Sequence, residues 1–245
     1  MAANDANYAN GLALESEDIR KTFGYFTALG GVTLKVKRGE FLALFGRNGA
    51  GKTTFLKIAA TLVKPTQGRL RIEGIDVREQ PEEARRRIGF LSHNTYLYRD
   101  LTPIENLRFF GRLYGVQDLD ERIHSLIDRV GLQRRASDPV RSFSRGLHQR
   151  LGVARVMLHD PSLILLDEPY TGLDANAVDT LNQMLDEAIS AGKTIILTTH
   201  DLEQGLRAAS RAIIIDRGKI VFTGDARDPA TRDAYSQYIR VGVTP

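Results

Sequence analysis

Residues Gly46-Arg47-Asn48-Gly49-Ala50-Gly51-Lys52-Thr53 carry the G-x-x-x-x-G-K-T spacing of a phosphate-binding loop. Gly46, Gly49 and Gly51 allow a tight turn, so that successive backbone N–H groups across Arg47, Asn48 and Ala50 can face phosphate oxygens. Lys52 offers a mobile point charge for the β- and γ-phosphates, and Thr53 a hydroxyl for Mg²⁺. Thr54 opens the helix whose positive dipole end adds to the site. The plain alternative is a glycine-rich turn from strand to helix with a chance Lys-Thr. The joint arrival of strand, loop and helix argues against it.

Four more stretches narrow the chemistry. The apolar run Leu163-Ile164-Leu165-Leu166 ends in Asp167-Glu168. Asp167 is placed to hold Mg²⁺ and Glu168 to polarise an attacking water as general base. Taken alone, two such carboxylates are also common as turn or cap residues. Ser144-Arg145-Gly146-Leu147 opens a helix about 20 residues before Asp167. Ser144 and Gly146 at a helix N-terminus can form an anion site, or Ser144 can be a simple cap. Gly172-Leu173-Asp174 follows the carboxylates, with Asp174 at the start of a helix. His200 ends the strand Thr194–Thr199, on the side where open α/β sheets bind ligands. A lone histidine there is more often structural; in this series it reads as a γ-phosphate contact.

The elements that must hold these residues are legible from periodicity. Phe41–Phe45 is an apolar run suited to a buried strand, and Phe55, Ile58, Ala59 and Leu62 share one face of the following helix. Val32, Leu34 and Val36, then Leu70 and Ile72, alternate with polar residues, which predicts an antiparallel β element beside the nucleotide core. Residues 101–160 read as helical. Thr102-Pro103-Ile104-Glu105 is a capping box with proline at the first helical position, followed by an apolar stripe of Ile104, Leu107, Phe110, Leu113 and Tyr114. A second helix runs Leu119–Val130 and a third starts at Ser144. Strands and helices alternate again from Leu163, and Ala212–Ile215 and Lys219–Phe222 flank a hairpin turn.

Composition sets bounds. The 245 residues are 42% hydrophobic and 26% charged, ordinary values for a globular protein able to bury a core. A net charge of +4 suits an anionic nucleotide, but no dense Lys/Arg tract interleaved with aromatics argues for nucleic acid. The absence of cysteine excludes disulfides, thiolate metal sites and cysteine nucleophiles and fits a cytosolic location. Met1–Gly11 lacks the pattern of a signal peptide, and no apolar run approaches the ~18–20 residues that span a bilayer. One phosphate loop means one nucleotide-binding unit per chain.

In this order the motifs resemble the ATP-binding subunit of ATP-binding-cassette (ABC) transporters, over about residues 13–225. The resemblance implies an α/β P-loop NTPase cassette: a mostly parallel core sheet, an antiparallel β flank and a helical lobe at about 92–160. Residues 1–12 are then a flexible tail and 226–245 a polar, partly helical tail without an assigned role. It implies ATP and Mg²⁺ as ligands, with Thr53 and Asp167 on the metal, Lys52, Glu168 and His200 in hydrolysis, and Phe23 stacked on adenine. It also implies a second ATP-binding subunit, expected to be identical. Ser144 and Gly146 of one protomer then close on the γ-phosphate held by the other's loop, and Asp174 is a further nucleotide-binding residue. Integral-membrane permease subunits complete the assembly, with the cassette peripheral on the cytoplasmic face of the inner membrane.

Two positions depart from the family. Its usual L-S-G-G-Q is here Phe143-Ser144-Arg145-Gly146-Leu147. Its usual glutamine, eight residues before the L-T of L-T-x-x-E-N-L, is His93, ahead of Leu101-Thr102-Pro103-Ile104-Glu105-Asn106-Leu107. That glutamine touches Mg²⁺ or the attacking water and links the site to the membrane subunit. A histidine there keeps one hydrogen bond and adds a charge that changes between pH 5 and 8. It is similar to the ATPase subunit of the heme exporter of cytochrome c maturation, while exporters of drugs, lipids or polysaccharides remain alternatives. A soluble, non-transport ABC ATPase usually carries two cassettes, a coiled coil or zinc cysteines, none of which is present. A kinase or GTPase lacks the Ser144 stretch and His200.

Overall fold

A computed structural model describes residues 11–92 and 94–240, with side chains as far as Tyr238. His93 and residues 1–10 lie outside it. β1 (Leu12–Phe23) and β2 (Phe26–Lys37) form a long antiparallel hairpin, followed by β3 (Phe41–Phe45), the phosphate loop and α1 (Lys52–Ala59). β4 (Gln67–Ile72), β5 (Ile75–Asp76), α2 (Pro81–Arg87) and β6 (Ile88–Leu91) come next. α3 (Pro103–Tyr114), α4 (Leu119–Arg129) and α5 (Arg145–Met157) make the helical lobe. β7 (Leu163–Asp167), α6 (Ala175–Ser190), β8 (Thr194–Thr198), α7 (Leu202–Leu206), β9 (Arg211–Asp216), β10 (Lys219–Asp225) and α8 (Pro229–Tyr235) complete the chain, with a π-helical turn at Ser236–Arg240.

The central sheet has the order β10-β9-β3-β8-β7-β6, with only β10 antiparallel to its neighbour. The flank is an antiparallel sheet of order β2-β1-β4-β5. A two-residue period assigns the strand side chains to two cores. Phe41, Ala43 and Phe45 of β3, with Ile164 and Leu166 of β7, join the core under the helical lobe and α6. Leu42, Leu44, Leu163 and Leu165 join the core under α1 and the antiparallel flank. Burial on both faces is why these strands are apolar throughout. Each fully buried leucine or phenylalanine contributes about 1.5–3 kcal/mol of transfer free energy.

Local chemistry explains the helix ends. Thr102 Oγ1 accepts from the Glu105 N–H at 3.2 Å while the Glu105 carboxylate accepts from the Thr102 N–H at 2.8 Å, which is the expected capping box. Ser144, Asp174 and Asp201 each cap the helix they precede. Two expectations of burial are corrected. Leu62 is exposed because α1 ends at Ala59 and Thr61 turns left-handed (φ 61°), taking Leu62 off the helical face. Leu113 is 73% exposed. It lies six residues after the buried Leu107, hence about 120° round α3 from the core side.

Candidate active site

Parallel register brings three strand ends together. Leu44 of β3 pairs with Thr198 of β8, and Thr198 with Asp167 of β7. The phosphate loop, the two carboxylates and His200 therefore emerge from adjacent strands at one sheet edge, the ligand side of an open α/β sheet.

The phosphate loop needs glycine at specific points. A Cβ on Gly46 would come within 2.5 Å of the Ile215 carbonyl oxygen, and one on Gly51 within 2.7 Å of that of Ala28. Gly51 also takes φ 110°, open mainly to glycine, and its carbonyl receives the Phe55 N–H at 2.9 Å, starting α1. Lys52 is buried, and its Nζ donates to the carbonyls of Gly46 (2.7 Å) and Arg47 (3.3 Å). Burial pulls its pKa below the ordinary lysine value, against the opposing pull of Glu168 and Asp167. Arg47, Asn48 and Gly49 are exposed at the loop crest, Ala50 is buried beneath it, and Thr54 is half-buried on α1.

Thr53 Oγ1 donates to Asp167 Oδ1 at 3.0 Å, although the residues are 114 positions apart. Thr198 Oγ1 donates to the same oxygen at 2.7 Å. Asp167 is 3% exposed, so a buried carboxylate is held by two hydroxyls. Thr53 and Asp167 form a pair of hard oxygen donors facing each other next to the phosphate loop, a donor set that suits Mg²⁺, which takes one or two protein oxygens plus phosphate oxygens and water.

Glu168 adopts φ 53°, a left-handed conformation costly for a residue with a Cβ. Its N–H holds it there by donating to the Thr198 carbonyl at 3.0 Å and to Thr198 Oγ1 at 3.2 Å. Glu168 Oε2 lies 2.8 Å from His200 Nδ1 and 3.4 Å from the His200 backbone N. Thr198 thus positions both carboxylates. In sequence it is the polar residue that follows the apolar run Ile195–Leu197.

The remaining expected residues lie around this centre. Phe23 is half exposed at the end of the β1–β2 hairpin, with Lys21 Nζ 4.7 Å from its ring centroid. Ser144 Oγ accepts from the Leu147 N–H at 3.3 Å and caps α5. A Cβ on Gly146 would lie 3.2 Å from the Gly172 carbonyl oxygen, so the start of α5 leans on the turn before α6. Asp174 caps α6 through the Ala177 N–H (2.8 Å) and accepts from Arg150 of α5 at 3.0 Å. A cavity of about 480 Å³ between these parts is lined by Asn94, Phe143, Arg145, His148, Glu168 and Thr171, among others. The E-N-L stretch has a structural account: buried Asn106 accepts from the Tyr98 N–H (2.8 Å) and donates to the carbonyls of Tyr98 and Thr102 (3.0 Å each), shaping the loop that follows His93.

The family model described as "ABC transporter" matches residues 29–171. The chain is 37% identical over 196 residues to the ABC transporter ATP-binding protein NatA of Bacillus subtilis, covering 79% of this chain and 80% of that protein. It is 38% identical over 213 residues to the Nod factor export ATP-binding protein I of Cupriavidus metallidurans, covering 86% of this chain and 70% of that protein. Among solved structures it is similar to a dimeric ATP-binding cassette in a post-hydrolysis state bound to ADP and Pi, with a TM-score of 0.81 and 27% identity over 88% of this chain and 99% of that one.

Proposed function

This chain belongs to the ABC transporter family as an ATP-binding subunit, and we propose that it powers an exporter through the site built around Thr53, Asp167, Glu168 and His200. It is an ATPase that takes ATP with Mg²⁺. The observation that carries the site assignment is the convergence of Thr53 and Thr198 on Asp167, with Glu168 held against His200 at the next position.

In this reading the N–H groups of the phosphate loop and the Lys52 ammonium hold the β- and γ-phosphates, and Phe23 stacks on the adenine. Thr53 and Asp167 hold Mg²⁺, which when bound neutralises charge on the phosphate oxygens. Glu168 accepts the proton of the attacking water, and His200 donates towards the γ-phosphate. Positioning and charge neutralisation carry most of the rate. Ser144 and Gly146 complete the site of a second, identical subunit, since both lie on the helical lobe at the N-terminus of α5. The dimeric cassette to which the chain is similar supports that arrangement.

Among the described residues no helix is long and apolar enough to cross a membrane. In this reading permease subunits span the membrane, as in the ABC transporter family, with this chain peripheral on the cytoplasmic face. The surface offered to them is Tyr98, Phe109 and Leu113, exposed on the loop after His93 and on α3. The rings of Tyr98 and Phe109 meet edge to face at 4.9 Å. Similarity to a Nod factor export protein favours an exporter of drug, lipid or polysaccharide. A second reading, heme export for cytochrome c maturation, rests on His93 in place of the family's glutamine.

The test is to purify the protein from membranes with its partners. Expected are a membrane subunit, ATP hydrolysis, and transport that His93→Gln changes in pH profile. The absence of any membrane partner would overturn the transport reading. Heme in the purified complex would select the second cargo over the first.

A further inference from the structure

The residues after β10 fold onto the active-site loop. Thr231 is buried and its Oγ1 donates to the Asp225 carbonyl at 2.6 Å, while Asp228 caps α8 through the Ala230 N–H. Tyr235, the last residue of α8, is 5% exposed. Its ring meets Phe45 edge-on, with centroids 5.3 Å apart and planes at 86°. Phe45 ends β3, one residue before Gly46. The Tyr235 hydroxyl donates to the carbonyl of His200 at 2.6 Å. Beside this bond Arg232 of α8 pairs with Glu203 of α7. Gly205 of α7 lies so close to Phe45 that a Cβ there would come within 2.5 Å of the ring. One aromatic cluster therefore ties together the strand that feeds the phosphate loop, the loop that bears His200, and the C-terminal helix.

The His200 side chain is 70% exposed, so packing does not aim it. Its ring is held by Glu168 and its backbone by α8. The Tyr235 hydroxyl holds the carbonyl of the 200–201 peptide, and the planar peptide fixes where the His200 Cα sits relative to Glu168. We propose that Tyr235 is a positioning residue for ATP hydrolysis, its hydroxyl fixing the peptide from which His200 reaches Glu168. This inference rests on the assignment of His200 and Glu168 to hydrolysis.

The test compares wild type, Tyr235→Phe and His200→Ala in the full chain purified with its membrane partner. Tyr235→Phe keeps the ring on Phe45 and loses only the hydroxyl. Its kcat is expected to fall about 2- to 10-fold, the worth of one hydrogen bond, with KM for ATP and the melting temperature close to wild type. An unchanged kcat, or a loss of kcat that merely follows a lower melting temperature, would overturn the proposal. A Tyr235→Phe chain that fails to fold would show that the hydroxyl serves stability and would also overturn the proposal. Inactive His200→Ala beside fully active Tyr235→Phe rejects the role of Tyr235 alone. Fully active His200→Ala rejects the underlying assignment.

Discussion

Glu168 and His200 engage one oxygen twice: Glu168 Oε2 lies 2.8 Å from the imidazole Nδ1 and 3.4 Å from the backbone N of His200. A neutral imidazole has one N–H. While Nδ1 donates to Glu168, the other ring nitrogen is an acceptor and cannot donate to a phosphate oxygen. In the neutral ring the Nδ1 contact with Glu168 and a bond donated to the γ-phosphate therefore exclude each other.

Glu168→Gln removes the proton acceptor but keeps the size of the side chain. Turnover should fall by about 10²- to 10⁴-fold, the usual weight of a general base. ATP binding should persist, and dimers should accumulate in gel filtration with ATP. Steady-state hydrolysis at the wild-type rate would remove the base assignment.

Thr198→Val deletes the hydroxyl that donates to Asp167 and accepts from the Glu168 N–H. Valine has the same shape, so packing is preserved. Asp167 is then left with one side-chain donor in a buried place, at a cost of about 1–3 kcal/mol. Chemical denaturation should show that loss, and half-maximal activity should need more Mg²⁺. Unaltered stability and Mg²⁺ dependence would show that the hydroxyl is dispensable.

Lys52→Ala takes away a buried ammonium that also closes the loop onto the Gly46 and Arg47 carbonyls. A charged hydrogen bond is worth about 1.5–3 kcal/mol, so ATP affinity should fall about 10- to 100-fold. Fluorescent-nucleotide titration measures this directly, and equal affinity in the two proteins would contradict it.

His159 links stability to pH. Its ring stacks on Tyr114 at 3.9 Å, its Nε2 lies 3.1 Å from the Ile88 carbonyl oxygen, and burial pushes its pKa down to about 4. Between pH 6.5 and about 4 the unfolded chain binds a proton that the folded chain refuses. Stability is therefore full above pH 6.5 and falls as pH drops through this window, by at most about 3 kcal/mol. His159→Phe keeps a flat ring against Tyr114 and removes the titrating group. Its melting temperature should depend less on pH across the window, and a curve parallel to wild type would rule the link out.

Local features were legible in the chain because local geometry creates them. The spacing of Gly46, Gly51, Lys52 and Thr53 dictates a turn that opens a helix. The caps at Thr102, Ser144 and Asp174 depend on contacts within three residues. Strand ends carrying Asp167, Glu168 and His200 follow from apolar runs stopping at polar residues. Amphipathic period was less decisive at helix margins, where Leu62 and Leu113 matched the pattern yet lie outside the core.

Only the tertiary structure decided which of these local pieces meet. Strand order places Thr198 between the phosphate loop and the carboxylates, and no spacing in the chain encodes that adjacency. The C-terminal stretch reads as a polar tail because the partners that bury Tyr235 lie far from it in sequence. Its partners are Phe45 and the His200 carbonyl, brought to it by the sheet. Contacts such as Asp167–Thr198 and Phe45–Tyr235, between residues far apart in the chain, are set by which elements lie side by side, a property of the packed whole that no short window of residues contains.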